Sequence, residues 1–86
     1  MVVDGVIIDK NDEPLVFQSG QVVSLDDPDD SATTFFTNRK GRFRLMSVPP
    51  GNYKLDLFDY PETVKFSVPE NHSSLIYKIG TRKLGD

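Results

Sequence analysis

Proline and glycine punctuate this chain so evenly that no window carries three or four turns of 3.6-residue apolar periodicity, and the prolines would break a helix that tried to form. What lies between them is short and alternating. Val2–Asp9 is apolar and β-branched and ends in the polar turn "DKNDEP". Val16–Leu25 follows, with Gly20 expected to mark a bulge or bend. After the loop "DDPDDSA", the segment "TTFFT" has strong strand propensity and runs into the turn "NRKG". "RFRL" places Phe43 and Leu45 on one side and Arg42 and Arg44 on the other. The turn "SVPPGN" leads to "YKLDLF", where Tyr53, Leu55 and Leu57 share a face opposite Lys54 and Asp56. "DYPE" precedes "TVKFSV", with Val64, Phe66 and Val68 on one side. "PENHSS" precedes the last strand, "LIYKIG", which leaves "TRKLGD" as a tail. Regularly spaced short strands with turn chemistry between them predict an all-β fold. The expected form is a small antiparallel β-sandwich, or a small barrel, of about seven strands.

The chain has 86 residues, enough for one domain. Hydrophobic residues make up 37%, which is too apolar for disorder. Residues 1–86 therefore read as a single β-sandwich domain; no basic-then-apolar leader opens it, so if the protein is secreted this domain is expected to be a fragment of a larger one. No apolar run approaches the ~18 residues of a membrane-spanning helix. The absence of cysteine removes disulfides, thiolate catalysis and cysteine-ligated zinc.

The net charge of -3 is unevenly spread. Residues 1–30 carry eight acids and one base, whereas residues 31–60 carry five bases and two acids. The basic run "NRKGRFR" lies in the second stretch. Charged residues stay outside, so Arg42 and Arg44 read first as a solvated strand face, and Arg39 and Lys40 as a hairpin tip. Nucleic-acid binding would want stacking aromatics on the same face as the bases, and Phe43 belongs to the opposite one. The remaining functional reading is a rim contact with an acidic protein partner.

Other constellations are weaker. His72 lies in a polar loop beside Ser73 and Ser74, without the held nucleophile and oxyanion hole of a catalytic triad. "DDPDD", Asp26 to Asp30, offers oxygens but lacks the spacing of a calcium loop. Lys10 and Asn71 flank the first and last strands, as the partners of an isopeptide bond would, but the pattern shows no buried acid to assist it. No set of titratable groups converges as an enzyme requires, so no catalysis, cofactor or metal is expected.

"DGVIIDKNDEPL", through Gly5, Val6, Ile8, Asp9, Pro14 and Leu15, resembles the first strand and turn of carboxypeptidase regulatory-like domains. Thr37, Gly41, Phe43, Pro50, Gly51, Tyr53 and Leu55 match the same family's threonine, "G-x-F" and "PG-x-Y-x-L" positions over residues 3–70. The resemblance implies a Greek-key, transthyretin-like sandwich. "FFTNRKGRFRL…VPPGNYKLDLF" followed by "VPE" is similar, more narrowly, to the C-terminal domain of outer-membrane fimbrial ushers. That likeness implies a domain on the periplasmic side of the outer membrane. It would bind chaperone–pilus subunit complexes, contact the rest of the usher chain, and not enter the membrane itself. Edge-strand pairing is one expected mode. Contact through exposed aromatics is another, with Phe58 and Tyr60 as candidate anchors beside Arg42 and Arg44. The competing expectation is a structural spacer or carbohydrate-binding accessory module of a secreted enzyme or bacterial surface protein, which would place the chain outside the cell.

Overall fold

The computed structural model describes residues 2–27, 32–70 and 75–85. Its strands, in chain order, are β1 (Val2–Ile8), β2 (Ser19–Ser24), β3 (Thr33–Phe36), β4 (Arg42–Leu45), β5 (Gly51–Leu57), β6 (Thr63–Val68) and β7 (Ile76–Lys83). A three-stranded sheet has the order β4-β1-β7, and a four-stranded sheet the order β3-β2-β5-β6. The described residues form a seven-stranded β-sandwich, as the alternation predicts. Only β2–β3 and β5–β6 are joined within one sheet. Every other connection passes between sheets, which gives the expected Greek-key style of order.

The inner faces are those the alternation assigns. Phe43 and Leu45 of β4 are buried against Tyr53, Leu55 and Leu57 of β5 and Val64, Phe66 and Val68 of β6, with Val3 and Ile7 of β1 completing the centre. Phe35 and Phe43 meet across the two sheets, ring centroids 5.6 Å apart and tilted by 60°. Tyr53 stacks on Phe66 at 5.5 Å and donates its hydroxyl to the Pro49 carbonyl at 2.6 Å, so its polar end is satisfied.

Side chains close the turns. Asp9 accepts the backbone N–H groups of Asn11 and Glu13, and Asn38 accepts those of Lys40 and Arg42. At the end of the second turn Gly41 has φ +74°, and a Cβ there would lie 2.6 Å from the Ile7 carbonyl oxygen. Thr37 is buried, donating to the Leu15 carbonyl at 2.6 Å and accepting from the Gln18 N–H at 2.8 Å. This ties the loop before β2 to the end of β3.

Four local expectations change. β7 pairs with β1 in parallel, because the β6–β7 connection crosses between sheets and does not return as a hairpin; the other pairings are antiparallel. The expected tail is largely strand: Thr81, Arg82 and Lys83 continue β7, and Leu84 is buried. The first residues of "VFQSG" are not strand, since the chain turns at Val16 and Phe17 and pairing begins at Ser19. Gly20 is no bulge either. It keeps regular register with Phe35 of β3 and Leu57 of β5, and the register shift falls between Asp4 and Gly5 in β1.

Candidate protein-binding surface

β1 lies between β4 and β7, with Val3 and Ile7 turned inward, so the intervening Asp4 turns to the outer face of its sheet. It is nevertheless only 4% exposed. Its cross-strand neighbour is Arg44, and Arg42 stands one position further along the same face of β4. Arg42 grips the carboxylate with two donors: Nε lies 3.0 Å from Oδ1 and Nη2 binds Oδ2. Arg44 Nη2 stands 3.7 Å from the same oxygen. The closing half of the basic run is thus a lid over a buried acid, and both arginine side chains remain half exposed.

The Arg42 hydrogen bond, aided by the charges of both arginines and opposed by burial, holds the Asp4 carboxyl below its ordinary pKa. A depressed folded pKa favours the folded state fully above the unfolded value of about 3.9, and that contribution is lost as pH falls through the folded value. Asp4→Asn is expected to lower the melting temperature at neutral pH and to flatten its decline over roughly pH 5 to 2. Thermal melts across that range check it; parallel curves for the two proteins would contradict the assignment.

Next to these arginines the surface is apolar. Phe17 and Phe36 are each 71% exposed, and together with Arg42 and Arg44 they line an open depression of about 480 Å³. Phe17 adopts φ 52°, a left-handed conformation that a bulky residue rarely takes. Its N–H is bonded to the Asn38 carbonyl at 3.3 Å. A strained backbone that displays a phenylalanine to solvent is an outlier of the kind concentrated at functional sites. Phe36 belongs to the same row of the four-stranded sheet as Ser19 and Phe58, since Ser19 is its partner in β2 and accepts the Phe58 N–H at 3.1 Å. Side chains in one row share a face, so Phe36 and Phe58, itself 60% exposed, stand about 10 Å apart on the outer side of that sheet.

Of the expected contact residues, Arg42 and Arg44 border the depression beside Phe17 and Phe36, whereas Phe58 lies beyond it, two strands from Phe36 on the outer face of the four-stranded sheet. Tyr60 differs from the expectation of an exposed anchor: it is half-buried and packs against the core. Phe17 and Phe36 were not among the expected residues. The clue to Phe36 lay in "TTFFT", because two successive phenylalanines in a strand cannot both face inward. Nothing in the sequence marks Phe17, whose exposure depends on a positive φ that no glycine or asparagine signals.

The other sequence constellations are placed less tightly. Lys10 Nζ pairs with Glu62 Oε1 at 2.8 Å on the surface, whereas Asn71 and His72 lie outside the described residues. Asp26 accepts the Asn52 backbone N–H at 2.8 Å, which holds its carboxyl below the ordinary pKa. Asp29 and Asp30 lie outside the described residues. Among the described residues no three His, Cys, Asp or Glu side chains are grouped as metal ligands would be, and no helix is long and apolar enough to cross a membrane.

No protein-family model and no curated protein sequence matches the chain. Solved structures do. A variant of BcpA, the major pilin subunit of Bacillus cereus, superposes with a TM-score of 0.68 at 16% identity, covering 96% of this chain and 28% of the pilin. A DUF3823 family protein from Bacteroides ovatus gives 0.60 at 14% identity, covering 96% and 43%. A 9R-lipoxygenase from Cyanothece gives 0.57 at 15% identity, covering 98% and 16%. This chain thus spans less than half the length of each of these three proteins. It has the architecture of a β-sandwich domain that such longer chains contain, and at these identities the likeness concerns the fold alone.

Proposed function

We propose that this chain is a non-catalytic protein-binding module of a bacterial envelope protein. Its working surface runs from Arg42 and Arg44 across Phe17 and Phe36 to Phe58. The carrying observation is the pair of largely exposed phenylalanines beside the arginines, one of them held at positive φ. Two aromatic anchors with arginines at their rim have the composition of a binding hot spot and offer no acid, base or nucleophile for a reaction.

The particular role proposed is that of the C-terminal domain of a fimbrial usher. There it would face the periplasm at the outer membrane, bind chaperone–subunit complexes and rest against its own barrel. Support comes from the positions Thr37, Gly41, Phe43, Pro50, Gly51, Tyr53 and Leu55. These occupy structural posts here: Thr37 ties two loops, Gly41 closes the hairpin, and Phe43, Tyr53 and Leu55 fill the core. No nucleic acid, cofactor or membrane insertion enters this reading. A second reading, a spacer module of a surface protein, draws on the pilin's similar sandwich; it requires no conserved use of the aromatic surface.

Immobilised domain should retain purified chaperone–subunit complexes. The double change Phe36→Ser with Arg44→Glu should weaken retention by about tenfold or more, the effect of truncating an interface anchor. Equal retention by the variant, or none by the wild type above a control sandwich, would count against the usher role. Phe36 is largely exposed, so Phe36→Ser alone should melt like the wild type. Arg44→Glu sets a second carboxylate opposite Asp4 and should lower the melting temperature, so retention is compared at a temperature where all the variants are folded.

A further inference from the structure

Each of the four outer strands exposes an edge, and three of those edges are guarded. On β4, Arg42 exchanges both backbone groups with Asn38, its N–H with the side-chain oxygen at 3.0 Å and its carbonyl with the Asn38 N–H at 2.9 Å. Beyond Leu45 the chain turns away at Ser47 (φ 55°) into Pro49 and Pro50. On β6, the Thr63 carbonyl accepts the Gly85 N–H at 3.1 Å and Lys65 stands exposed. On β7, Lys78, Arg82 and Lys83 line the strand, and Gly80 at φ 78° breaks its regularity. Lysine, proline and irregularity are the usual defences against unwanted strand pairing.

β3 has none of these defences. It reads Thr-Thr-Phe-Phe, without charge or bulge. Thr37 donates its N–H to the Gln18 carbonyl at 2.8 Å, so Thr33 and Phe35, in phase with it, also turn their backbone groups toward β2. Thr34 and Phe36 turn theirs outward, and among the described residues these groups have no partner. Beside this edge a gap of about 260 Å³ opens between the two sheets, lined by Val22, Thr33, Leu45, Met46, Val48 and Tyr53. Arg44 borders both that gap and the depression beside Phe17 and Phe36.

We propose that the β3 edge is the seat of an extended segment of a protein partner, which joins the four-stranded sheet as an added strand. Its backbone would pair with Thr34 and Phe36. Apolar side chains on its inner face would enter the gap between the sheets, and acidic side chains would meet Arg44 and Arg42 across the seam. The choice of an acidic occupant rests on charge: Arg39, Lys40, Arg42 and Arg44 lie on the turn and strand that follow β3, and Asp4 answers only the last two. The proposal supplies a mode of contact for the binding role above and rests on that role only for its biological occupant.

The test uses the whole chain, isotope-labelled, with a synthetic peptide of alternating valine and glutamate and a valine–lysine counterpart. The glutamate peptide should slow amide exchange at Thr34 and Phe36 by about tenfold or more, and the lysine peptide should not. Thr34→Pro removes one outward N–H at an edge position where proline fits a sheet, so it should abolish binding while the melting temperature stays near the wild-type value. Arg44→Glu should reverse the preference between peptides. Unchanged exchange at both amides, equal binding by Thr34→Pro, or protection that grows with protein concentration alone would overturn the proposal; the last would make the occupant a second copy. The two ideas fail separately. Capture of chaperone–subunit complexes by wild type and Thr34→Pro alike keeps the usher role and removes strand addition, whereas peptide pairing without capture does the reverse.

Discussion

Phe43→Ala should destabilise the domain by about 3–5 kcal/mol, the range for emptying a buried aromatic site. The ring is 2% exposed, meets Phe35 from the opposite sheet, and lies so close to β1 that a Cβ on Gly5 would stand 3.0 Å from it. It is therefore packed from both layers, and neither can move in to refill the space without pulling β4 away from β1. A domain of 86 residues has about 4–13 kcal/mol in all at ordinary stability per residue. The loss takes a large fraction of that, and the melting temperature should fall by roughly 15 °C or more. Phe43→Leu, which leaves most of the volume filled, should cost much less. Circular dichroism melts of the two variants decide the matter, and a similar small shift in both would mean that the sandwich is not centred on this ring.

The same residue shows why the fold is legible in the sequence. In "RFRL" the alternation of Phe43 and Leu45 with two arginines admits one inward face, and β5 and β6 repeat the arrangement with Tyr53, Leu55, Leu57, Val64, Phe66 and Val68. Period two is a local signal, and burial on one face makes its register unambiguous. β7 is different. Its Ile76, Lys78, Thr81 and Arg82 carry no strict alternation, and a parallel partner distant in sequence determines its length. No local pattern reports that pairing.

The surface was legible in part for a similar reason. Arg42 and Arg44 could be assigned to the outside from alternation, but their attachment to Asp4 depends on β1 and β4 lying side by side in one register, 38 residues apart for Asp4 and Arg42. Period two also places Asp4 on the solvent side, where an acid is unremarkable. Only the pairing shows that two guanidinium groups roof it over. Phe17 and Phe36 become neighbours of those arginines because the Thr37 hydroxyl, together with the backbone bonds from Thr37 N–H to Gln18 and from Phe17 N–H to Asn38, ties the β1–β2 loop to the end of β3. The basic run is thus partly structural, at Arg42, and freer at Arg44, whose weaker hold on Asp4 leaves its charge more available to a partner.

Gly20→Ala is the second change expected to be severe, at about 3 kcal/mol, the upper part of the range for overpacking. A glycine in a strand can mark a bulge, where an added methyl is often harmless, or a close approach of another backbone, where it is not. Here β2 is an interior strand, bonded to β3 on one side and β5 on the other. A Cβ at Gly20 would fall 2.4 Å from the Asp56 carbonyl oxygen and 2.9 Å from the Leu57 Cα. Both atoms are backbone, so no rotamer change relieves the contact. β5 must retreat, and in retreating it loosens its ladder with β2 and draws Leu55 and Leu57 out of the core. The measurement is a denaturant titration of Gly20→Ala beside wild type. A loss of under about 1 kcal/mol would mean that the two strands part easily at this point, as a bulge would allow. A large loss, accompanied by faster amide exchange along β5 as well as β2, is the result that the close approach of these two backbones requires.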